Sequence, residues 1–137
     1  MKHYVLDACA LVAAMRSERG ADKVVAALDS AEKGEATVSM NKLNLLEVYY
    51  VTHRTCGKDA ADKVMSDLKA SPVSIIQDIA DNIFFEASRL KVRYKISLAD
   101  SIVLAEASMS GGELLTADHH EFDIVEKNEK IRFCWIR

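Results

Sequence analysis

The sequence contains little proline, glycine or cysteine. Pro72 is the only proline among 137 residues, there are five glycines, and the three cysteines form no CxxC pair. So little proline and glycine argues against a disordered or low-complexity chain. Isolated cysteines in odd number argue against a disulfide framework or a zinc site, so we interpret them as reduced packing residues of a cytoplasmic protein.

Long apolar runs and a strong excess of one charge are also missing. The longest apolar run, ACALVAAM at 8–15, is far shorter than the roughly 20 residues that span a bilayer. It also lacks a signal-peptide cleavage motif, so we expect no membrane segment. The net charge of −3 does not indicate general affinity for nucleic acid, although a basic rim can surround an acidic cleft.

Strand-like and helix-like segments alternate along the chain, and half of the residues are hydrophobic, which is enough for one domain over 1–137. Strands are predicted at 4–7, 36–39, 72–76, 113–116 and 132–137. Helices are predicted at 8–16, 21–34, 41–55, 58–71, 78–92 and 96–112, with a short helical turn at 118–125. This order predicts an α/β fold, a three-layer α/β/α sandwich with a mostly parallel sheet of about five strands. Ligands of such sheets bind beyond the carboxyl ends of the strands.

Four acidic residues fall where this fold would bring them together. Asp7 directly follows the first predicted strand, and Asp118 follows the fourth. Glu47 lies in the apolar stripe of the third helix, and Asp100 lies in the first turn of its helix on the same face as Val103. We expect all four carboxylates to point into one region at the carboxyl end of the sheet.

Each acid also has an ordinary structural interpretation. Asp7 and Asp118 are suitable N-caps for the helices that follow them. Asp100 ends an S-x-x-D pattern typical of a capping box. Glu47 has no cap to make, and its best structural partner is Arg54 or another buried cation. For any single acid these alternatives remain open.

Taken together, the acids favour a bound cation. Two unit charges about 4 Å apart repel by about 4 kcal/mol at an effective dielectric constant of about 20, whereas a whole domain is stabilised by only about 5–15 kcal/mol. Oxygen ligands favour Mg²⁺ or Mn²⁺ over softer metals. Metal-assisted hydrolysis of a phosphodiester is the natural reaction for such a site. There is no glycine-rich phosphate loop and no G-x-S-x-G motif to indicate another chemistry.

Four segments resemble the PIN-domain nucleases, and within them the small toxins of VapBC-type toxin–antitoxin pairs. They are VLDACALVAAM, NLLEVYYV, ISLADSIVLAEA and LLTADHHEFD. Carried over position by position, the resemblance implies a catalytic, metal-binding set of four acids, one weaker candidate ligand and one supporting hydroxyl. These are Asp7, Glu47, Asp100 and Asp118, then Glu121, and finally Thr116.

The resemblance implies a divalent-metal-dependent endoribonuclease that hydrolyses RNA phosphodiester bonds. One or two Mg²⁺ or Mn²⁺ ions would activate a water that attacks the scissile phosphate. It also implies a homodimer and a cognate antitoxin whose extended segment occludes the cleft. The chain departs from the family pattern at Ala8 and Cys9, where many relatives carry a hydroxyl or amide.

Other functions remain in competition. The fold could serve as a binding module without catalytic activity, or as an RNA-processing nuclease that is not a toxin. A phosphatase or a receiver domain is disfavoured because Asp7 begins DAC rather than a D-x-D pair. We interpret His119 and His120 as surface or substrate-rim residues, since adjacent histidines diverge on a helical turn. The basic run at 89–95 is either a solvated helix end or a contact for RNA phosphates.

Overall fold

The alternating segments form one sheet with helices on both faces, and the computed structural model describes all residues, 1–137. The strands are β1 (Lys2–Leu6), β2 (Ala36–Asn41), β3 (Val73–Ile76), β4 (Glu113–Thr116) and β5 (Arg132–Trp135). The helices are α1 (Ala8–Met15), α2 (Ala21–Glu32), α3 (Lys42–Cys56), α4 (Lys58–Lys69), α5 (Asp81–Arg93), α6 (Leu98–Ser110) and α7 (His119–Asn128).

The strand order is β3-β2-β1-β4-β5, and all four neighbouring pairs are parallel. The chain therefore builds the sheet outward from β1 in one direction through β3, and then continues on the other side of β1 with β4 and β5. The carboxyl ends of β1 and β4 flank the point where the direction of winding reverses, which is where parallel α/β sheets bind ligands. The predicted fold class is confirmed.

Alternating side chains of the central strands divide the protein interior into two cores. Val5 and Leu114 are fully buried against α5, α6 and α7. Their neighbours Leu6 and Leu115 are buried on the opposite face, against α1, α2, α3 and α4. This alternation follows from the two-residue period of a strand. It produces the three predicted layers.

Two helix boundaries differ by three residues from the sequence prediction, and the others differ by at most two. The segment predicted as a short turn at 118–125 forms α7, which extends to Asn128, because Phe122 and Val125 are buried one turn apart and anchor a full helix. The helix predicted to begin at 78 begins at Asp81. None of the seven helices is both long enough and apolar enough to cross a bilayer.

The interpretation of the cysteines as packing residues is only partly correct. All three are free thiols, and Cys9 and Cys134 are half-buried, but Cys56 is exposed at the end of α3. At that position the helix is stopped by Gly57, whose φ of +95° favours glycine. Cys56 therefore lies at a surface corner between α3 and α4 rather than in a core.

Gly20 joins the loop after α1 to the end of the chain. Its φ is +96°, and a Cβ built at this position would lie 2.5 Å from the carbonyl oxygen of Ile136. The neighbouring carbonyl of Arg19 accepts a hydrogen bond of 2.6 Å from Arg137. The segment after β5 thus packs directly on the backbone of this loop, and no residue with a side chain fits at position 20.

We expect Gly20→Ala to destabilise the protein more than Gly34→Ala. Both glycines have positive φ, which costs an alanine roughly 1–2 kcal/mol, but no atom lies within 4 Å of a Cβ at Gly34. The backbone clash at Gly20 should add about 1–3 kcal/mol. Chemical denaturation of both variants measures the difference, and equal losses of unfolding free energy would contradict the tight packing at Ile136.

Candidate active site

A cavity of about 490 Å³ opens at the point where the winding of the sheet reverses. Six acidic side chains line it, and its only basic lining residue is Arg137. The acids come from the ends of β1 and β4 and from the adjoining helices and loop: Asp7, Glu18, Glu47, Asp100, Asp118 and Glu121. The structure therefore brings together all five sequence-predicted acids, and it adds Glu18.

Asp7 and Asp118 are held at the cavity as helix N-caps. The Asp7 carboxylate accepts a hydrogen bond of 2.7 Å from the backbone N–H of Ala10 in α1. The Asp118 carboxylate accepts one of 3.1 Å from the N–H of Glu121 in α7. The capping interpretation is thus correct for both residues. Each cap uses only one carboxylate oxygen, so capping leaves the other oxygen available to the cavity.

Asp100 reaches the cavity from the first turn of α6, where the capping box is only half formed. The hydroxyl of Ser97 accepts the N–H of Asp100 at 3.0 Å, but the Asp100 carboxylate does not return a hydrogen bond to the backbone N–H of Ser97. The N-cap of α6 therefore explains the role of Ser97, but it does not explain why the carboxylate of Asp100 lies at the cavity.

Glu47 has none of the structural partners that would explain an acid in the middle of a helix. No salt bridge forms with Arg54, which lies over the ring of Tyr50 instead, 5.3 Å from its centre. The pairing considered for Glu47 from the sequence is therefore wrong. Its half-buried side chain lines the acid cavity.

Burial, with a smaller contribution from neighbouring charges, disfavours the charged forms of Asp7, Asp100 and Glu47. Burial raises the pKa of Asp7 to about 7, and the charges of Asp100 and Asp118 add to the rise. Burial likewise raises the pKa of Asp100 to about 6, with further contributions from Asp118, Glu47 and Glu121. The pKa of Glu47 is raised by burial and by the charge of Asp118. The acids therefore interact as one electrostatic group.

Thr116 links two of the acids. It is fully buried, and its hydroxyl oxygen accepts the N–H of Asp118 at 3.1 Å. Hydrogen bonding from the same hydroxyl opposes the rise in the pKa of Asp7, together with the N–H of Ala10. This arrangement suits the supporting role predicted for Thr116. Its hydroxyl binds the backbone of Asp118 and favours the charged form of Asp7.

The donor set fits a hard divalent cation by its chemistry. Carboxylate oxygens from several segments line the cavity, and oxygen atoms are the ligands that Mg²⁺ and Mn²⁺ prefer. As the side chains lie, no three His, Cys, Asp or Glu residues converge closely enough to chelate an ion. The acids nevertheless all line one cavity, so small side-chain rotations are enough to bring their oxygens to a common ion.

Three lining residues were not found from the sequence. Asn44 lies one turn before Glu47 on α3. The only sequence feature that indicated its position was this spacing of three residues, which places it on the same helix face as Glu47. Arg137 and Glu18 approach from distant segments and lie 3.6 Å apart. Ala8 and Cys9, where the chain departs from the family pattern, also line the cavity, and burial raises the pKa of the Cys9 thiol to about 11.

The two histidines do not line the acid cavity. The ring of His119 stacks on Trp135 at 3.8 Å between centres, and its nitrogens hydrogen-bond with Asp123 and with the carbonyl of Arg137. His120 is almost fully exposed, with a weak 3.8 Å contact to Glu121. Neither side chain is directed to a common ligand, in agreement with the surface role expected from the sequence.

We expect Asp7→Asn to stabilise the protein at neutral pH in the presence of EDTA. Asparagine retains the oxygen that caps α1 but removes a buried charge. Because the folded-state pKa of Asp7 is raised to about 7 from 3.8, wild type should lose stability as pH rises from about 4 to 7, by on the order of a few kcal/mol.

Urea denaturation at several pH values tests this expectation. The quantity to compare is the difference in unfolding free energy between the variant and wild type. The difference cancels contributions from carboxylates such as Glu86 and Glu129, whose pKa values are held low chiefly by hydrogen bonds from Arg89. It should be near zero below pH 4 and largest above pH 7. A pH-independent difference would show that the charge of Asp7 does not destabilise the folded protein.

Known structures share this fold over nearly the whole chain. A chain of VapBC2 from Rickettsia felis, bound to a DNA fragment from its promoter, superposes with a TM-score of 0.73 at 17% identity, covering 96% of this chain and 97% of that one. DNA-bound VapBC from Salmonella typhimurium gives a TM-score of 0.75 at 12% identity, covering 100% of both chains. VapC20 from Mycobacterium tuberculosis, described as a Sarcin-Ricin loop cleaving toxin, gives 0.64 at 17% identity, covering 89% and 94%.

At these identities the superpositions establish the fold alone, and no curated protein matches the chain in sequence. Membership of a family is shown by a match to a family model. The model of the PIN domain matches residues 4–128, a range that includes the last three residues of β1, all of β4 and every acid of the cavity. The chain belongs to the PIN domain family.

Proposed function

We propose that the protein is a divalent-metal-dependent endoribonuclease and the toxin of a type II toxin–antitoxin pair. The observation that carries the proposal is the convergence of six acids at the winding reversal of a PIN-domain sheet. The structurally similar VapC20 is described as cleaving the Sarcin-Ricin loop, which supports RNA as the substrate class. We also propose a cytoplasmic location, with which an RNA substrate is consistent.

In this proposal Asp7, Asp100 and Asp118 hold one or two Mg²⁺ or Mn²⁺ ions, with Glu47 assisting and Glu121 as a weaker ligand. A divalent cation would supply charge neutralisation and the activation of water for attack on a phosphodiester. The protein's own contribution is positional. The caps fix Asp7 and Asp118 relative to the ends of β1 and β4, and the hydroxyl of Thr116 accepts the backbone N–H of Asp118.

The cavity also requires cations to accept a polyanion. Arg137 is its only basic lining residue, and the N–H of its guanidinium donates to the carbonyl of Arg19 beside Glu18. We assign to Arg137 a contact with an RNA phosphate close to the acids. Charge-assisted hydrogen bonds from a guanidinium suit phosphate oxygens in particular.

The alternative of a non-catalytic binding module is favoured by one observation, the absence of three acids close enough to chelate an ion. In that case the acids would be caps and surface charges, and the protein would act only by association. The two functions differ in whether Mg²⁺ or Mn²⁺ binds and whether RNA is cut.

We expect purified protein to cut RNA from a mixed pool in Mg²⁺ or Mn²⁺ and not in EDTA. Asp100→Asn should lower cleavage at least about 100-fold, since even groups that only orient metal ligands contribute about 10–100-fold. Asp81→Asn is the matched control, because Asp81 lies in the first turn of α5 but does not line the cavity.

Gel analysis of the cleaved pool, with circular dichroism to verify folding, measures both variants. Cutting that survives in Asp100→Asn would reject the site. Cutting that persists in EDTA would reject the metal dependence. A folded wild type that neither binds Mn²⁺ nor cuts RNA in any condition would favour the binding module.

We further propose a homodimer and a cognate antitoxin as partners. Structures with the same fold include a toxin–antitoxin complex from Klebsiella pneumoniae and a member of the VapBC family of toxin–antitoxin systems from Mycobacterium tuberculosis. The antitoxin would cover the acid cavity with an extended segment that presents a cation to the carboxylates. For the dimer we propose an exposed apolar groove along α5 and the start of α6, lined by Phe84, Val92 and Leu98.

We expect Phe84→Glu to weaken the dimer, because the side chain is 58% exposed in the monomer and would place a charge in the groove. Ile124→Glu is the control, since Ile124 is 57% exposed on α7, outside that groove. Analytical ultracentrifugation over a concentration series should show dissociation of the first variant only. Dimers of unchanged stability in Phe84→Glu would exclude this surface.

A further inference from the structure

One buried amide in the acid cavity has an oxygen without a partner. Asn44 is 2% exposed, and its Oδ1 makes no hydrogen bond. Buried polar atoms nearly always have a partner, whether protein, ordered water or an ion. Because Asn44 lines the cavity together with the acids, the unpaired oxygen indicates that the cavity itself supplies the partner.

The orientation of this amide is fixed by its other end. The Nδ2 of Asn44 donates a hydrogen bond of 2.9 Å to the carbonyl oxygen of Ala99. Rotating the amide by half a turn would place Oδ1 against that carbonyl, and two acceptors would then face each other. The nitrogen must therefore point to Ala99, and the oxygen must be the free atom.

The same hydrogen bond connects two helices that carry proposed ligands. Asn44 lies one turn before Glu47 on α3, and Ala99 directly precedes Asp100 on α6. Residues three apart on a helix share a face. Asn44 therefore fixes the separation of α3 and α6 at the level where both acids enter the cavity.

The surroundings of Asn44 favour a hydrated ion over an empty pocket. The cavity volume of about 490 Å³ greatly exceeds the roughly 30 Å³ that one water occupies in the liquid. A neutral amide oxygen adds an acceptor without adding to the repulsion among the acids. Hard divalent cations, Mg²⁺ above all, retain several waters in protein sites, and those waters need acceptors.

We propose that Asn44 is a positioning residue for the cation site, whose Oδ1 accepts a hydrogen bond from a water of the hydrated divalent cation while its Nδ2 holds the first turn of α6. The inference rests on the proposed metal-dependent function and deepens it. It adds a neutral residue to a site otherwise assigned to carboxylates.

Mn²⁺ binding to three variants tests the proposal, followed by the electron paramagnetic resonance signal of free Mn²⁺. Asn44→Leu removes both amide atoms at similar volume, and Asn44→Asp retains the oxygen but removes the donor. Thr52→Val is the matched control, a buried polar residue two turns further along α3 that does not line the cavity.

We expect Asn44→Leu to raise the Mn²⁺ dissociation constant about 10- to 100-fold, the usual effect of losing an outer-shell partner. Asn44→Asp should bind Mn²⁺ at least as tightly as wild type, because it keeps the oxygen and adds a negative charge. Thr52→Val should match wild type. The Mg²⁺ concentration for half-maximal RNA cleavage should shift in the same order.

Two results would overturn the inference while leaving the proposed function in place. One is an unchanged dissociation constant in Asn44→Leu. The other is an equal loss in Asn44→Asp and Asn44→Leu, which would assign the effect to the amide nitrogen alone. If Asn44→Leu fails to fold by circular dichroism, Asn44→Ala replaces it. A wild type that binds no Mn²⁺ would reject both the inference and the metal dependence.

Discussion

The cost of holding several carboxylates together in a partly buried cavity is the constraint on which the rest of this structure depends. The geometry of a parallel sheet whose winding reverses at β1 places the ends of β1 and β4 side by side, and each end carries an aspartate. Burial and the neighbouring charges raise the pKa values of Asp7 and Asp100 to about 7 and about 6. The two cores on either face of the sheet must supply the free energy that holds these charges together.

Helix capping and ligand binding use the same residues without conflict. An N-cap carboxylate satisfies a backbone N–H with one oxygen and lies in the positive field of the helix N-terminus. Asp7 and Asp118 both benefit from this arrangement at the first turns of α1 and α7. The caps therefore offset part of the repulsion and also fix the direction of each side chain. For these two residues, helix capping reduces the cost of placing a charged metal ligand in the cavity.

Much of this site could be predicted from the sequence because its acids are marked by local features. Asp7 and Asp118 follow strands, so their common location follows from the sheet, and Glu47 stands out because it interrupts the apolar stripe of α3. Asn44 carried no such mark, since its role depends on Ala99, a residue 55 positions away that only the packing of α3 on α6 brings within 2.9 Å. Arg137 was equally hidden, because it reaches the cavity only after β5 has paired with β4.

The balance of charge in the cavity has a consequence for the order of events in the proposed function. Six acids and one arginine line the space that an RNA phosphate must enter, so the field of the apo site repels a polyanion. A divalent cation then has two effects, since it relieves the repulsion among the acids and makes the cavity acceptable to phosphate. A cationic segment of an antitoxin would relieve the same repulsion without supplying the chemistry. Inhibitor and cofactor would therefore compete for the same carboxylates, and the repulsion that metal binding relieves is the same repulsion that favours binding of a cationic inhibitor.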